Sequence, residues 1–331
     1  MDKRFYINSN GRIKRQDNTI YVEIEKNGDI IKKALPVTDI DSVYVFGELD
    51  FNSKVINFLS QNDILIHFFN YYGFYSGSFL PRKKNISGYL LVEQVKHYID
   101  DEKRQFLAIS FIEGAVFHIL RNLRKYNISG EDFEEIEKKL MLKIFETKRI
   151  SDLMAIEGNI RILYYQLFNK IINNNDFYLE KREKRPPSNP INALISFGNS
   201  LIYNTVLSEI YRTQLDPTIS YLHSPQEKRF SLSLDLAEIF KPIIIDTIIF
   251  SLINTKQITI HDFDENLNFT YLNKEGREKF IRVYEEKLKT TIKHRKLKRN
   301  VSYKQLIRLE CYKLIKYFIE DEIYKPFKAW W

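Results

Sequence analysis

The hydrophobic pattern of this chain changes its period near Pro81, and this change divides the sequence into two parts of different structure. Before Pro81, short runs rich in β-branched and aromatic residues are separated by turn signals, and this pattern predicts strands. The predicted strands are Arg4–Ile7, Arg12–Arg15, Thr19–Ile24, Ile30–Val37, Asp41–Phe46 and Ile64–Phe69, with a short helix over Ser53–Ser60, turns at Asn10-Gly11 and Asn27-Gly28, and tight bends at Gly73 and Gly77.

After Pro81, apolar residues recur with the 3.6-residue period of helices. We therefore predict an α+β fold with a small β-rich domain over residues 1–80, a polar linker over 81–87 and a larger all-α domain over 88–331. A further break, predicted as a mobile loop, covers residues 181–190, where Asn189 can cap the next helix and Pro190 can take its first position. The other predicted helices are Leu90–Tyr126, Gly130–Lys148 and Ile150–Ile172.

Composition limits the class of protein. A single cysteine, Cys311, excludes a disulfide within the chain and suits a reducing compartment. We find no signal peptide at the N-terminus and no run of about 18 uncharged apolar residues, so we expect a cytoplasmic protein without a membrane span. The most apolar run, Pro242–Ile253, is short and contains Asp246, which predicts a buried helix.

Positive charge is concentrated near the end of the sequence. The net charge is +8, and the segment Lys287–Lys316 holds eleven Lys and Arg residues against one acid, Glu310. That segment therefore contributes +10, and the remaining residues sum to about −2. Such a patch suits a surface that meets a polyanion, although charge alone leaves a solvated helix face equally open. The segment lacks the pattern of a membrane-surface helix.

Common catalytic motifs are missing. Glycine occurs only eleven times, and neither GxGxxG nor GxxxxGK[ST] is present, so we see no ordinary nucleotide cradle. CxxC, GxSxG and HExxH are also absent, which removes the usual zinc and serine-hydrolase signatures. Any chemistry must come from residues dispersed along the sequence.

The strongest local signal is a set of acids in the apolar segment SLSLDLAEIFKPIIID. Asp235, Glu238 and Asp246 are spaced i, i+3 and i+11, which places them on one face of a helix. Carboxylates in such surroundings cannot be buried unpaired at reasonable cost. They need a cation, which could be a metal ion or basic side chains of the chain itself.

Two other polar residues stand at helix or loop positions that are otherwise apolar. Glu157 lies beside an apolar stripe with Arg161 at i+4, where a surface ion pair is the alternative interpretation. His223 lies between Pro217 and Pro225, where a structural hydrogen bond is the alternative. Two carboxylates and one imidazole could bind Mg²⁺ or Mn²⁺ and activate a hydroxyl or water at a phosphodiester. The sequence spacing alone does not prove this grouping.

Six segments of the sequence, in order, are FNYYGFYSGSF, IEGNIRILYY, RPPSNPINALISFGNSLIY, LDPTISYLH, FSLSLDLAEIFKPIIID and YKPF. In this order they resemble segments of the CRISPR-adaptation integrase family, the CRISPR-associated endonuclease of the "Cas-one" type. Departures from the family pattern are Gln214 and Ser220 in place of glycines and Lys241 in place of the common arginine. These put the local loop geometry in question but keep the ligand types.

The resemblance implies that Glu157, His223 and Glu238 are catalytic metal ligands, with Asp235 auxiliary. It implies a transesterification in which a 3′-hydroxyl of captured DNA attacks a CRISPR repeat end, or DNA cleavage when water attacks. It also implies a homodimer paired through the β domain and a small "Cas-two" partner subunit. We expect contacts with double-stranded DNA from Arg161, Lys184, Arg185, Lys293, Arg295, Lys296, Lys298 and Arg299.

Two other functions remain as alternatives. A non-catalytic nucleic-acid-binding scaffold would pair the acids with Lys and Arg and would bind DNA without cutting it. A metal phosphohydrolase for a small substrate is less compatible with the large basic segment and the missing nucleotide cradle.

Overall fold

The computed structural model of the chain describes residues 3–26, 29–35, 37–83, 85–183, 186–225, 230–266 and 269–331. These residues belong to two compact units, residues 1–84 and residues 85–331. The first is rich in strands and the second is mostly helical, which confirms the α+β class. The boundary lies within the stretch that we predicted as a linker.

Two four-stranded sheets, one α-helix and a short 3-10 helix (Val37–Asp39) make up the described part of the first unit. The elements are β1 (Lys3–Ile7), β2 (Gly11–Gln16), β3 (Thr19–Lys26), β4 (Asp29–Leu35), β5 (Ile40–Val45), β6 (Leu49–Asp50), α1 (Ser53–Gln61), β7 (Leu65–Phe69) and β8 (Tyr75–Phe79). One sheet has the order β1-β5-β7-β8, in which the first three strands are parallel. The other has the order β4-β3-β2-β6. Apolar side chains of both sheets and of α1 form a shared core.

The strand predictions hold for all six predicted strands, with ends that differ by a few residues. Gly73 has a φ of +81° and lies in a turn, as predicted. The bend predicted at Gly77 is wrong, because this residue lies inside β8 and pairs with Phe68 of β7. The turn predicted at Asn27-Gly28 lies outside the described residues.

Long helices dominate the second unit. The helices are α2 (Gly88–Ile99), α3 (Asp101–Lys125), α4 (Glu131–Glu134), α5 (Met141–Glu146), α6 (Ile150–Ile171), α7 (Pro190–Tyr211), α8 (Ser231–Lys241), α9 (Thr247–Asn254), α10 (Lys274–Lys289) and α11 (Tyr303–Phe318). Segments with the wider π-helical turn connect α4 to α5 over Glu135–Leu140 and α8 to α9 over Pro242–Asp246. Asn189 caps α7 as predicted, accepting a hydrogen bond from the Asn192 backbone N–H at 3.0 Å.

The prediction of a single helix over Leu90–Tyr126 is wrong in one respect, because the structure has two helices here, which meet at Asp100. This residue has an extended ψ of 107°. Its side chain accepts a 3.0 Å hydrogen bond from the Lys103 backbone N–H, which caps α3. Its own N–H donates to the Lys96 carbonyl and closes α2. One aspartate thus ends one helix and starts the next.

Two small hairpins correct the prediction that this domain is all-α. β9 (Phe263–Asn266) pairs with β10 (Phe269–Leu272), and β11 (Thr291–Lys293) pairs with β12 (Asn300–Ser302). In the part of the chain that the structure describes, α3 is the one helix long and apolar enough to cross a membrane. Of its most apolar window, 72% is buried within the protein, as for a core helix.

Helix α8 lies at the centre of this unit. Every residue of α8 is buried, and the helix packs against α3 and α7. The segment that follows α8, Pro242–Asp246, also lies close to α7, because a Cβ added at Gly198 would lie 2.5 Å from a side-chain carbon of Ile245. The acids of α8 are therefore held in a tightly packed interior.

Candidate active site

Helix α8 continues beyond Lys241 without a break, but its geometry changes there. Pro242 has no N–H to donate to a carbonyl one α-turn earlier. The chain widens into the π-helical segment Pro242–Asp246 and then resumes as α9. Wider turns of this kind are frequent at functional sites.

Asp235 is fully buried and organises the loop that precedes α8. Its carboxylate accepts hydrogen bonds from the backbone N–H groups of Tyr221, Leu222 and His223 at 2.7, 3.0 and 3.0 Å. It also contacts Nδ1 of His223 at 2.7 Å. The four contacts use both carboxylate oxygens. Asp235 therefore supports His223 and has little capacity left to bind a metal directly.

The contact with Asp235 fixes the tautomer of His223. A carboxylate can only accept, so Nδ1 carries the proton, and Nε2 presents its lone pair when the ring is neutral. Burial alone would lower the pKa of His223, but the hydrogen bond and the charge of Asp235 outweigh it, and the net pKa is raised. The His223 side chain is 22% exposed, so a ligand can reach the imidazole ring.

Further contacts hold the same loop. The Gln94 side chain of α2 accepts a 2.8 Å hydrogen bond from the Asp216 backbone N–H. Arg104 of α3 donates to the Tyr221 carbonyl at 3.1 Å. Ser220, one of the departures from the family pattern, donates from its hydroxyl to the His223 carbonyl at 2.6 Å. The loop around His223 is therefore fixed from two helices as well as from Asp235.

Glu238 is paired with two cations. Arg161 Nη2 donates to Oε2, and Lys241 Nζ donates to Oε1. Burial alone would raise the pKa of Glu238, but Lys241 and then Arg161 outweigh it, so the pKa lies well below its ordinary value. The carboxylate is ionised in the interior because both of its oxygens meet a positive charge.

Arg161 links Glu238 to the second predicted carboxylate. Its Nε donates to Glu157 Oε1 at 3.0 Å, within α6. The Glu157 side chain is 25% exposed, so this carboxylate lies at the edge of the site. Arg161, which we predicted as a DNA contact, is buried and uses its donors on the two glutamates. Within the described residues, Nη1 of Arg161 has no hydrogen-bond partner.

Asp246, the third acid of the predicted face, differs from Glu238 in its protonation. Burial raises the pKa of Asp246 to about 7, although Arg161 and the Tyr164 hydroxyl act in the opposite direction. Its Oδ2 has no hydrogen-bond partner among the residues described. Asp246 is therefore a largely buried carboxyl that titrates near neutral pH.

The donor types around Arg161 suit Mg²⁺ or Mn²⁺, since two carboxylates and one imidazole nitrogen are available. Glu157 and Glu238 contact the same guanidinium, and His223 is close enough to Glu238 to lower its pKa. However, no group of three His, Cys, Asp or Glu side chains is assembled for a metal within the described residues. Of the two cation sources that the sequence left open, basic side chains hold Glu238 in this structure.

The basic segment separates into two kinds of charge. Part of it is neutralised inside the fold: Lys304 and Arg308 contact buried Glu209, and Lys313 contacts Glu310. Five exposed basic residues lie on the hairpin β11–β12 and its turn, and we call this set the cationic hairpin. Its members are Lys293, Arg295, Lys296, Lys298 and Arg299. The predicted contacts Lys184 and Arg185 lie outside the described residues.

A C-terminal segment connects the cationic hairpin to α8. Arg295 donates to the Trp330 carbonyl at 3.3 Å. The Ala329 backbone N–H donates to Nε2 of His118 at 3.0 Å, and Nδ1 of His118 contacts the Ile239 carbonyl at 2.9 Å. Burial lowers the pKa of His118 to about 3, so the ring is neutral and can accept at one nitrogen and donate from the other.

Sequence reasoning missed the roles of Lys241 and Gln94. Lys241 carried a signal, because it stands at i+3 from Glu238 on the same helix. Gln94 carried a weaker one, as a polar residue in the apolar run GYLLVEQV. Its partner in the loop is 122 residues away, and local pattern cannot find such a pairing.

Comparison with known proteins places these features in a family context. A family model described as "CRISPR associated protein Cas1" matches residues 5–286. The chain is 59% identical to "CRISPR-associated endonuclease Cas1 3" of Thermodesulfovibrio yellowstonii, covering 99% of this chain and 100% of that protein. It is 56% identical to "CRISPR-associated endonuclease Cas1" of Clostridium perfringens, covering 100% of both.

Solved structures show the same fold. A CAS1 protein from Thermotoga maritima superposes with a TM-score of 0.90 at 40% identity, over 98% of this chain and 100% of that chain. A casposase bound to integration product superposes with a TM-score of 0.86 at 20% identity, over 99% and 93%. A Cas6-RT-Cas1–Cas2 complex superposes with a TM-score of 0.84 at 17% identity, over 99% and 36%. The last two similarities concern the fold alone.

Proposed function

Because this chain belongs to the Cas1 family of CRISPR-associated proteins, we propose that it is a metal-dependent DNA endonuclease and integrase that inserts new spacers into a CRISPR array. The observation that supports this most directly is the meeting of Glu157 and Glu238 on one guanidinium beside His223. The names of the two endonuclease relatives support a nuclease. The casposase, which has the same fold and is bound to an integration product, supports strand joining.

In the proposed reaction, the 3′-hydroxyl oxygen of a DNA fragment attacks a phosphorus at the end of a repeat. A new phosphorus–oxygen bond forms, the bond to the 3′ oxygen of the array strand breaks, and the proton of the attacking hydroxyl is released while the leaving oxygen gains one. Water in place of the hydroxyl gives cleavage. The residues that would hold Mg²⁺ or Mn²⁺ are Glu157, Glu238 and Nε2 of His223, and the ion would polarise the phosphate and favour the ionised hydroxyl.

The chain's own residues have separate roles in this proposal. Asp235 keeps the His223 proton on Nδ1 and so directs Nε2 towards the reacting groups. Arg161 keeps two carboxylates close together, which would otherwise repel each other and the DNA phosphate. The cationic hairpin binds the DNA backbone and contributes position without reading sequence.

Strand transfer and cleavage with Mn²⁺, repeated with a chelator, test the proposal. We expect activity that the chelator removes, and we expect Glu157→Gln and His223→Ala to abolish it while DNA affinity is kept. Asp152→Asn is the matched control for Glu157→Gln, because Asp152 lies on the same helix in an exposed pair with Arg149. Activity that persists in both site variants would overturn the site assignment.

A non-catalytic DNA-binding scaffold is the second candidate, and one observation favours it. Both oxygens of Glu238 are paired with basic side chains, as that candidate requires. It predicts salt-sensitive DNA binding with no cleavage at any Mn²⁺ concentration. The assay above separates the two functions.

We further propose that the protein works with double-stranded DNA and a Cas2 subunit, as a homodimer paired through its β-rich unit. The shared fold with a complex that contains Cas1 and Cas2 supports this partner. Light scattering coupled to gel filtration, with and without the Cas2 protein from the same array, tests it. A monomer that does not bind that Cas2 protein would exclude both the homodimer and the Cas2 partner.

A further inference from the structure

We propose that Lys241 is a displaceable counter-ion: it holds Glu238 in the metal-free protein and must leave this carboxylate before a divalent cation can bind there. This inference rests on the proposed function only for the identity of the cation and of its ligands. It concerns an equilibrium of the protein without DNA, and it can therefore be tested apart from catalysis.

The first step of the argument is that Glu238 has no carboxylate oxygen to spare. Lys241 contacts Oε1 and Arg161 contacts Oε2, and the Glu238 side chain is only 6% exposed. A buried carboxylate needs opposite charge at close range, and here side chains provide it. A metal ion that uses Glu238 competes directly with one of these two cations.

The second step is that the two cations are held unequally. Arg161 contacts Glu157 as well as Glu238, so displacing its planar guanidinium would break two charged hydrogen bonds. The one ion pair of Lys241 in the described residues is with Glu238, and its ammonium ends a flexible four-carbon chain. Lys241 is therefore the cation that a metal ion displaces from Glu238.

The third step is that Lys241 already contacts a second partner besides Glu238. Its Nζ lies 4.7 Å from the centre of the Tyr203 ring on α7. An ammonium over an aromatic face retains a favourable interaction without a carboxylate. The ring therefore remains available to the ammonium when the contact with Glu238 is lost.

The test is equilibrium binding of Mn²⁺, measured by electron paramagnetic resonance on the whole protein without DNA. Lys241→Met removes the competing charge, and we expect it to bind Mn²⁺ about tenfold more tightly than the unmodified protein, the size of effect expected of one adjacent charge. Lys241→Arg is expected to bind several-fold less tightly, because a guanidinium makes a stronger, two-pronged contact with a carboxylate. This second variant retains the positive charge, so it still tests the inference if Lys241→Met does not fold.

The matched control is Lys279→Met. Lys279 contacts buried Asp262 at 2.6 Å in another part of the same unit, so its loss removes the lysine partner of another buried carboxylate without touching Glu238. We expect unchanged Mn²⁺ affinity. In a Glu238→Gln background, adding Lys241→Met is expected to leave Mn²⁺ affinity as it was in Glu238→Gln alone, since the shared carboxylate is gone.

Equal Mn²⁺ affinity in the unmodified protein and Lys241→Met, or weaker binding by Lys241→Met, would overturn the inference. So would the absence of Mn²⁺ binding in both. If affinity falls from Lys241→Met through the unmodified protein to Lys241→Arg but no variant cuts or joins DNA, the counter-ion role stands and the proposed function fails. If metal-dependent activity is found but Mn²⁺ affinity does not change among the variants, the proposed function stands and the counter-ion role fails.

Discussion

The Asp235 carboxylate accepts a 2.7 Å hydrogen bond from Nδ1 of His223 while it also binds the backbone N–H of the same residue. Asp235→Asn replaces one acceptor oxygen with an amino group that faces N–H donors. We expect strand transfer to fall about 10- to 100-fold, the range for lost support of a ligand histidine. We also expect a loss of about 1 to 3 kcal/mol in unfolding free energy, because buried donors lose their acceptor.

Asp216→Asn in the same loop is the control, since its carboxylate accepts from Thr218 at an exposed position. It is expected to leave strand transfer within about twofold. Asp235→Asn with full activity would show that His223 does not depend on this carboxylate.

Arg161 stabilises two carboxylates at once, so its removal should be costly. Arg161→Met leaves Glu238 with Lys241 as its remaining cation and leaves Glu157 without its partner. We expect a loss of about 3 to 5 kcal/mol in unfolding free energy, typical of breaking a buried ion pair from one side. Urea denaturation measures it. Arg149→Met, which breaks an exposed pair with Asp152, should cost less than about 1 kcal/mol.

Asp246 should make stability fall as pH rises. Its folded-state pKa is raised from 3.8 to about 7 by burial, so the folded protein holds this proton more tightly than the unfolded chain. The stabilising contribution is complete below about pH 4 and is lost progressively up to about pH 7, at roughly 1.4 kcal/mol per pH unit. Asp246→Asn should remove this part of the pH dependence and be the more stable protein at pH 8. Thermal unfolding at pH 5, 6.5 and 8 measures this, and parallel curves for both proteins would contradict it.

The cationic hairpin should set the salt dependence of DNA binding. Within the described part of the chain, no acidic partner is seen for Lys293, Lys298 and Arg299. Replacing all three by Gln should weaken binding to any DNA sequence and reduce the slope of log affinity against log salt by up to about 3. Fluorescence anisotropy between 50 and 200 mM salt tests it. Lys316→Gln is the control, because Lys316 already contacts Asp321 and Glu322, and an unchanged slope in the triple variant would place the DNA elsewhere.

The fold followed from local pattern wherever an element had a clear period. The strands Thr19–Lys26 and Leu65–Phe69 are rich in β-branched and aromatic residues, so their sequence predicts them. β8 was missed because YSGSF is short and contains a glycine, which usually signals a bend. The break at Asp100 was missed because the apolar period continues across it, although Asp-Asp is a common start of a helix.

How much the sequence predicted about the site differs from one site residue to the next. The apolar surroundings of Asp235 and Glu238 show that these acids need partners, whichever cation provides the charge. The identity of those partners was only half visible. Lys241 is three residues from Glu238, but Arg161 is 77 residues away and becomes its partner only when α6 packs near α8. The order of the family segments, rather than any physical pattern, connected Glu157 to the other two.

The π-helical segment at Pro242 also affects how the long helix from Ser231 to Asn254 is divided. A wider turn holds about one residue more than an α-turn, so it rotates the following helix about its axis. The part before Pro242 can therefore point its acids at the loop and α6, while α9 points Phe250 at Phe168 of α6. Deleting one residue within Pro242–Asp246 would restore a uniform α-helix and turn one of these faces by about 100°. The long helix therefore consists of two segments whose faces are rotated relative to each other about the helix axis. The extra residue in the π-helical turn maintains this rotation.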